Sequence, residues 1–399
     1  MTEPLMRPTD GIDWTLECLA CGATRTADGL PTVCICGQPW LVRYPDRQPG
    51  IKQRAEVRRR HSMWRFRDFL PLRPFEEPVS LGEGDTPLLR LRRTADRLGI
   101  PHLWLKDEGC NPTGSFKARG LSAAITRATA AGARRFTLPT AGNAGVAASA
   151  YAARAGAEVR VFAPDTTPRT ILSQIEAFGG TLVLLEGHIG DCGKASRAWA
   201  AESGAFDLST LREPYRIEGK KTLGLELALQ MAWKMPDVIL YPTGGGTGLI
   251  GMWKAFGELK AHGWVEGDLP RFYSVQSTGC APIVKAFAEG ADRAEVWTDP
   301  WTVASGLRVP GALGDRLMLR ALRETGGGAV AVEDAVLVEA ARTVSREEGV
   351  DVSPEGGATI AALEVLVGRG EVDRGETVVV FNTGAGWLYR NPAELRGEG

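Results

Sequence analysis

The sequence predicts an α/β protein of two open, mostly parallel sheets with helices on both faces, preceded by a small cysteine-rich module. Two observations predict the sheets. From about residue 80, apolar runs of strand length alternate with helix-like stretches, and glycine-rich turns follow three of the runs. A third observation predicts the module, because four of the seven cysteines lie within the first forty residues.

Local patterns predict the individual elements. The segment 53–73 is rich in arginine and scattered aromatic residues, and it is compatible with a helix or an extended arm. The strand-like runs are Phe136–Pro139, Val159–Ala163, Thr181–Leu185, Val238–Tyr241, Phe272–Val275 and Thr377–Phe381. The helix-like stretches are Phe116–Ala124, Ala144–Ala155, Thr222–Lys234, Leu249–Phe256 and Val336–Glu348.

Length and composition limit the class of protein. A chain of 399 residues is too long for one small domain and predicts two or three. The formal net charge of -1 argues against nucleic acid or an anionic membrane surface as a partner. No apolar run reaches the roughly 18 residues that a membrane-spanning helix needs, and residues 1–11 lack the pattern of a secretory signal. These features predict a cytoplasmic protein that binds neither nucleic acid nor membrane.

The three glycine-rich turns are candidate binding positions, because ligands of open parallel sheets bind beyond the carboxyl ends of strands. The turns are residues 140–143 (TAGN), 243–248 (TGGGTG) and 383–386 (TGAG). Four glycines in the second turn let backbone N–H groups approach a ligand, and a helix-like stretch follows. Without a Walker lysine or a ribose-binding acid, this turn predicts a site for one small phosphate. A tight turn without a ligand is the alternative.

Lys117 is the candidate catalytic residue. It ends the string NPTGSFK (residues 111–117), in which a turn with proline and glycine leads into a helix-like stretch. The dipole at the start of a helix disfavours an ammonium group, and burial favours the neutral amine further. A neutral amine is what Schiff-base formation requires. The alternative is a solvated surface lysine, which composition alone favours.

The cysteine-rich module is a candidate metal site. Cys18 and Cys21 form a C-x2-C pair, and Cys34 and Cys36 form a C-x-C pair after twelve intervening residues. Four thiolates can bind zinc tetrahedrally and leave no open position for catalysis, so the pattern predicts a structural zinc. A metal-free thiol cluster and a redox pair are the alternatives.

Six motifs in a fixed order resemble those of one enzyme family. They are SLGEGDTPLL (80–89), NPTGSFK, TAGNAG (140–145), RIEGKKT (216–222), PTGGGTG (242–248) and TGAG. Together they resemble the fold-type II pyridoxal-phosphate (PLP) enzymes, and the threonine synthases in particular, over about residues 12–390. The resemblance implies a tryptophan synthase beta-like architecture and a homodimer. The predicted domains are a cysteine ribbon of residues 1–45, a large PLP domain of residues 46–115 and 221–399, and a small domain of residues 116–220.

The resemblance also implies roles for individual residues. Lys117 would hold PLP as a Schiff base and move protons. Asn143 would bond the 3-hydroxyl of PLP, and Thr383 would bond its pyridine nitrogen without holding that nitrogen protonated as a carboxylate does. Thr140 and Arg216 would bind the substrate. Backbone amides of the second turn would hold the PLP phosphate, at Gly244, Gly245, Gly246, Thr247 and Gly248.

Three departures from the family pattern bear on the substrate. Ala118 replaces an aspartate that commonly follows the cofactor lysine, and the phosphate loop lacks the usual asparagine. Ala141 and Ala144 replace hydroxyl residues of a turn that helps to bind the substrate's phosphate in this family. Against these changes, Arg216 matches the family's phosphate-binding arginine and has two lysines close by.

The leading hypothesis is therefore a threonine synthase, which converts O-phosphohomoserine and water into threonine and phosphate with PLP as cofactor. The alternative is a serine/threonine ammonia-lyase or a β-replacement synthase acting on a different amino acid. A third hypothesis is a protein of this fold that no longer catalyses and binds a partner through the cysteine ribbon. The intact Lys117 and the three turns argue against the third.

Overall fold

The computed structural model describes residues 14–45 and 53–390 and confirms the α/β class. Residues 1–13, 46–52 and 391–399 lie outside the described part of the chain, and they contain the predicted domain boundaries at residues 1, 46 and 399. The strands are β1 (Thr15–Glu17), β2 (Thr24–Thr26), β3 (Leu41–Arg43), β4 (Leu88–Arg90), β5 (His102–Asp107), β6 (Arg135–Pro139), β7 (Glu158–Pro164), β8 (Thr181–Leu185), β9 (Phe206–Asp207), β10 (Val238–Pro242), β11 (Arg271–Ser277), β12 (Gly328–Val332) and β13 (Thr377–Asn382). The α-helices are α1 (Gln53–Val57), α2 (Arg92–Leu98), α3 (Lys117–Ala130), α4 (Asn143–Arg154), α5 (Arg169–Ala177), α6 (Ile189–Ser203), α7 (Tyr215–Gln230), α8 (Thr247–Ala261), α9 (Pro282–Ala288), α10 (Asp315–Glu324), α11 (Asp334–Glu348) and α12 (Pro354–Gly368).

The described strands form three sheets. The largest has the order β12-β11-β10-β13-β5-β4 and is parallel except for β4, which pairs antiparallel with β5. The second has the order β8-β7-β6-β9 and is parallel throughout. The third is a small antiparallel sheet in the cysteine-rich module, with the order β2-β1-β3. The predicted pair of open, mostly parallel sheets is therefore confirmed, whereas the predicted domain boundaries stay predictions.

The six predicted strand-like runs are all strands, each with ends within two residues of the expected ones. The strands β4, β5, β9 and β12 were not predicted. β4 and β9 are only three and two residues long, β5 contains a histidine and two charged residues, and β12 is built of glycine, alanine and valine alone. No helix in the described part of the chain combines the length and the apolar character that crossing a bilayer requires.

The predicted helix over residues 222–234 has the wrong start, since α7 begins seven residues earlier, at Tyr215. The carboxylate of Glu213 accepts hydrogen bonds from the backbone N–H groups of Tyr215 (2.7 Å) and Arg216 (3.2 Å), which caps the helix. The motif at residues 216–222 therefore lies within the helix.

The segment 53–73 forms neither of the two predicted structures. It contains the short helix α1 and a 3-10 helix over Met63–Phe69. Ser62, with a φ of 61°, separates them, and its side chain caps the second by accepting a hydrogen bond from the Trp64 N–H. A continuous helix is therefore interrupted at this residue.

Helix α7 lies between α3 and α8 and approaches both closely. At Gly219, a Cβ atom would overlap the backbone carbonyl of Arg119 on α3. At Gly224, a Cβ atom would lie 2.8 Å from the Cβ of Ala255 on α8. Glycine inside a helix costs about 1 kcal/mol relative to alanine. Here the close approach of the helices explains its presence, and it brings the side chains of α7 next to the start of α3.

A buried cluster of ion pairs joins α3, α7 and β5. Arg119 donates hydrogen bonds to Glu108 (2.7 Å) and Glu226 (3.0 Å), and Lys106 donates to Glu226 (2.6 Å). Thr86 donates its hydroxyl proton to Glu108 at 2.5 Å. Burial alone would raise the pKa of Glu226, but the charges of Arg119 and Lys106 lower it below its ordinary value. Two cations thus neutralise two carboxylates that are shielded from solvent.

The cysteine-rich module contacts the same helix. The Tyr44 hydroxyl donates a hydrogen bond to Glu218 on α7 at 2.6 Å. The amines of Lys221 and Lys254 pair with Glu218 at 2.6 and 2.8 Å and lie 4.5 and 5.1 Å from the centre of the Tyr44 ring. A charged and aromatic contact therefore joins the module to α7 and α8.

The buried cluster makes a prediction about stability. Replacing Arg119 by methionine leaves two buried carboxylates with one cation, and we expect a loss of about 3–5 kcal/mol in the free energy of unfolding. Urea titration of the purified protein measures this loss. The matched control is Arg320→Met, which removes the exposed pair with Glu324 and should cost below about 0.5 kcal/mol. A similar small effect for both variants would contradict the prediction.

Candidate active site

Lys117 is the first residue of α3, and the residues before it form a sharp turn. Thr113 and Gly114 have positive φ values of 66° and 70°. The turn pairs with the one that follows β13: the N–H of Phe116 donates to the carbonyl of Thr383 at 3.0 Å, and the N–H of Ala385 donates to the carbonyl of Gly114 at 2.9 Å. Two motifs that are far apart in the sequence are thereby adjacent in space.

The surroundings of Lys117 favour its neutral form. Its Nζ atom lies 4.3 Å from the centre of the Phe116 ring. Burial first, and then the positive charge of Arg216, lower the pKa of Lys117 to about 7, against a smaller opposing effect of Glu355. The amine is therefore largely neutral above neutral pH, as nucleophilic attack on an aldehyde requires.

The turn after β6 lies next to the turn after β13. A Cβ atom on Gly384 would lie 3.4 Å from Nδ2 of Asn143, which is the first residue of α4. The Thr140 hydroxyl is occupied within its own turn, because it donates to the carbonyl of Gly142 (2.7 Å) and accepts from the N–H of Gly145 (3.1 Å). Asn143 thus lies beside the turn that follows β13, while Thr140 shapes its own turn. The predicted contacts of both residues with a ligand stay predictions.

The glycine loop leads from β10 into α8. Gly246 has a φ of 77° and stands immediately before the helix, so the first N–H groups of α8 have no partner within the helix. At Gly244, a Cβ atom would overlap the carbonyl of Gly306, and at Gly248 it would overlap the hydroxyl of Tyr241. The loop therefore tolerates no larger side chains at these positions. A helix start of this kind favours an anion.

Arg216 is buried beside Lys117 with part of its guanidinium unsatisfied. One nitrogen, Nη1, donates to the carbonyl of Leu208 at 2.7 Å. The Nε and Nη2 atoms are buried and have no hydrogen-bond partner among residues 14–45 and 53–390. Burial lowers the pKa of Arg216, and the charges of Glu213 and Asp207 oppose this effect. Unpaired buried donors are costly, and a bound anion would satisfy them.

Three residues of the site were not predicted from the sequence, namely Glu355, Tyr389 and Ser305. Glu355 accepts a hydrogen bond from the N–H of Gly306 at 2.7 Å, and burial raises its pKa. The Tyr389 hydroxyl interacts with Glu355, with Asn143 and with the side chain of Ser305. The serine and proline that cap α12 just before Glu355 were the only sequence signal for these three residues.

Lys220, one of the two lysines that the sequence places close to Arg216, lies near Lys117.

The four cysteines of the N-terminal module come together. All four sulfur atoms lie within 4.8 Å of one another, with Cys18 to Cys36 at 3.5 Å and Cys21 to Cys34 at 3.6 Å. A tetrahedral zinc with Zn–S bonds of about 2.3 Å has sulfur atoms about 3.8 Å apart. The donor set and its spacing therefore fit a structural zinc.

A neutral lysine at a helix start, a glycine loop that favours an anion and a hydroxyl-bearing turn beside the lysine define an α/β enzyme that fits PLP. The chain belongs to the pyridoxal-phosphate-dependent enzyme family, whose model matches residues 79–384, and within that family to the threonine synthases.

Two relatives and one solved structure illustrate the similarity. The chain is 32% identical over 373 residues to the threonine synthase of Methanocaldococcus jannaschii, covering 93% of this chain and 92% of that protein. It is 34% identical over 371 residues to the threonine synthase of Methanosarcina acetivorans, covering 92% and 91%. Maize serine racemase has a TM-score of 0.69 at 19% identity, over 88% of this chain and 96% of that one, which shows the shared fold. The predicted fold-type II architecture and family are confirmed.

The lowered pKa of Lys117 predicts how the PLP-free protein takes up its cofactor. Because the amine is neutral above a pKa of about 7, the rate of PLP capture should rise as the pH passes through 7 and level off above it. An ordinary lysine, with a pKa of about 10.4, would give a rate that keeps rising. Stopped-flow measurement of the visible absorption of lysine-bound PLP follows the rate. Lys117→Ala should show no such absorption, and a rate still rising at alkaline pH would contradict the prediction.

Proposed function

We propose that this chain is a threonine synthase that converts O-phosphohomoserine and water into threonine and phosphate. The observation that supports this most directly is Arg216, whose buried Nε and Nη2 lack partners beside Lys117. The leaving phosphate of O-phosphohomoserine is an anion of suitable geometry for a guanidinium. The 32% and 34% identity to threonine synthases across more than nine-tenths of the chain supports the same activity.

Lys117 acts as the base of the reaction. Its amine, neutral above a pKa of about 7, takes the proton from Cα of the substrate and then moves a proton at Cβ. When bound, PLP supplies an electron-withdrawing ring that stabilises negative charge next to Cα. Arg216 holds the phosphate as it leaves from Cγ, where negative charge develops in a site of low polarity. After phosphate has left, a proton is added at Cγ. Water then adds its hydroxyl at Cβ, and a proton returns to Cα, which completes threonine.

The three turns orient the cofactor. Backbone N–H groups of residues 244–248 would hold its phosphate at the start of α8. Asn143 would bond the 3-hydroxyl, and Thr383 would offer a hydroxyl to the pyridine nitrogen. A hydroxyl does not hold that nitrogen protonated, which favours loss of a leaving group over transamination. The Tyr389 hydroxyl interacts with both Glu355 and the side chain of Asn143, which helps to hold Asn143 in place.

One observation favours the alternative, an ammonia-lyase or a β-replacement synthase. Around the turn after β6, Ala141 and Ala144 carry no hydroxyl groups. The hydroxyl of Thr140 is already used in hydrogen bonds within the turn. This turn therefore offers few donors to a substrate phosphate. Formation of 2-oxobutyrate from threonine would identify the ammonia-lyase.

The decisive assay supplies the PLP-loaded protein with O-phospho-L-homoserine and measures inorganic phosphate and threonine. We expect the two products in equal amounts, because each turnover releases one of each. Lys117→Ala should form neither. Arg216→Gln should lower kcat/KM about 10- to 100-fold, the worth of a charge-assisted hydrogen bond. No turnover by a protein that retains the absorption of lysine-bound PLP would contradict the proposal and redirect the search to β-substituted amino acids.

We also propose that Cys18, Cys21, Cys34 and Cys36 bind one structural zinc. Metal analysis should give one zinc per chain, falling to none in Cys18→Ser/Cys34→Ser. Because a zinc site supplies the folding energy of a module too small for its own core, the double variant should lose protease resistance before residue 45. Turnover without zinc but with an intact module would contradict this proposal. A homodimer and a cytoplasmic location remain predictions.

A further inference from the structure

We propose that Lys220 and Arg216 together form the binding site for a dianionic leaving group. The resemblance to the family gives Lys220 no role of its own. This inference rests on the proposed function. The two side chains lie four residues apart on α7, so they share one face of the helix. Both side chains are shielded from solvent, with an exposed fraction of 0% for Lys220 and 1% for Arg216. Neither forms an ion pair with a carboxylate among the described residues.

The position of Lys220 places it beside the catalytic amine. Its Nζ donates a hydrogen bond to the backbone carbonyl of Phe116, the residue before Lys117. The same Nζ lies 3.9 Å from the centre of the Phe116 ring, and Nζ of Lys117 lies 4.3 Å from that centre. An ammonium group has three donors, so one hydrogen bond leaves two for a ligand.

Neighbouring buried lysines show what is unusual about Lys220. Lys221 pairs with Glu218 at 2.6 Å and with Glu258 at 2.9 Å, and Lys106 pairs with Glu226 at 2.6 Å. Each of these lysines has its counter-charge within the protein. Lys220 has none within 4.0 Å in the described chain, and the cost of burying an unpaired cation is high.

Lys117, Arg216 and Lys220 therefore lie close together, and in the described part of the chain none of the three forms an ion pair with a carboxylate. Burial first, followed by the charges of Lys117 and Arg216 and then of Arg119, lowers the pKa of Lys220 well below its ordinary value, against an opposing effect of Glu108. A dianion bound between Lys220 and Arg216 would reverse the sign of the local charge and raise that pKa again. Binding would consequently transfer a proton from solvent to the Lys220 amine, which then donates to the ligand.

Lys220 and Arg216 also supply the hydrogen-bond donors that the turn after β6 lacks. Ala141 and Ala144 carry no hydroxyl, and the Thr140 hydroxyl already bonds its own turn. Donors to a substrate phosphate must then come from another element, and α7 supplies two. The phosphate of PLP is the other anion that the active site receives, but the free N–H groups at the start of α8 are available to it. The inference therefore assigns Lys220 to the substrate's phosphate.

The test uses the PLP-loaded protein and inorganic phosphate as the probe. Titration calorimetry at about pH 8.5, above the second pKa of a phosphate group, is run in two buffers that differ in ionisation enthalpy. For the unmodified protein, we expect the difference between the binding heats in the two buffers to show net proton uptake on binding. Lys220→Gln should bind phosphate at least tenfold more weakly and without that uptake. Lys194→Gln, the same charge change at an exposed position, should behave like the unmodified protein.

Two further measurements separate the outcomes. The visible absorption of lysine-bound PLP establishes that Lys220→Gln is folded. The proton uptake is measured on the unmodified protein, so it tests the inference even if the variant does not fold. Absence of uptake in the unmodified protein, or unchanged phosphate affinity in Lys220→Gln, overturns the inference. So does weaker binding of PLP with unchanged affinity for inorganic phosphate, which would assign Lys220 to the cofactor.

Failure of this inference is distinct from failure of the proposed function. If the unmodified protein forms threonine but Lys220→Gln binds phosphate normally, only the role of Lys220 is wrong. If phosphate binds with proton uptake but O-phosphohomoserine is not converted, the dianion site stands and the proposed activity is wrong.

Discussion

Charge neutralisation around Glu226 is the constraint on which the rest of the structure depends. Removing an ion from water costs several kcal/mol even after the protein relaxes, so a buried carboxylate must be matched closely by cations. Arg119 of α3 and Lys106 of β5 supply this match to a carboxylate on α7. Because Arg119 follows Lys117 by two residues, the same ion pairs fix the start of α3 and thus the catalytic amine.

Helix α7 carries two kinds of buried cation, and the difference separates structure from chemistry. Lys221 faces Glu218, Glu258 and the ring of Tyr44, and its charge is matched within the protein. Arg216 and Lys220 face Lys117, and neither forms an ion pair with a carboxylate of the residues that the structure describes. A matched cation contributes to the fold, whereas an unmatched one is stable only because the site can lose protons or receive an anion. Adjacent residues of one helix therefore serve separate purposes.

Sequence patterns were sufficient for the six strands whose sequences are continuous apolar runs, since such a run has few other interpretations. They also located the three turns, because glycine at a strand end has a specific backbone role. The start of α7 was misplaced because its first turns are rich in polar residues. The partners of these residues, such as Tyr44 and Glu258, lie elsewhere in the chain.

The roles of Glu355, Tyr389 and Lys220 could not be predicted for a related reason. Their significance arises from distances between segments that are remote in sequence. Lys220 was recognised only as one of two lysines close to Arg216, and no local pattern distinguishes it from Lys221. The ion pairs of Lys221 and the unpaired state of Lys220 become visible only once α3, α7 and α8 are packed together.

The pairing of the turn before Lys117 with the turn after β13 has a consequence for biosynthesis. The bridge between Ser115 and Gly384 joins positions separated by most of the chain. As a chain emerges from the ribosome, its early segments can acquire local structure, but contacts of such long range must wait for the later segment. The nascent lysine-bearing helix therefore precedes its own binding pocket by some 270 residues of translation. Stable retention of PLP is consequently a mark of a chain that has been synthesised and folded at least as far as the turn after β13.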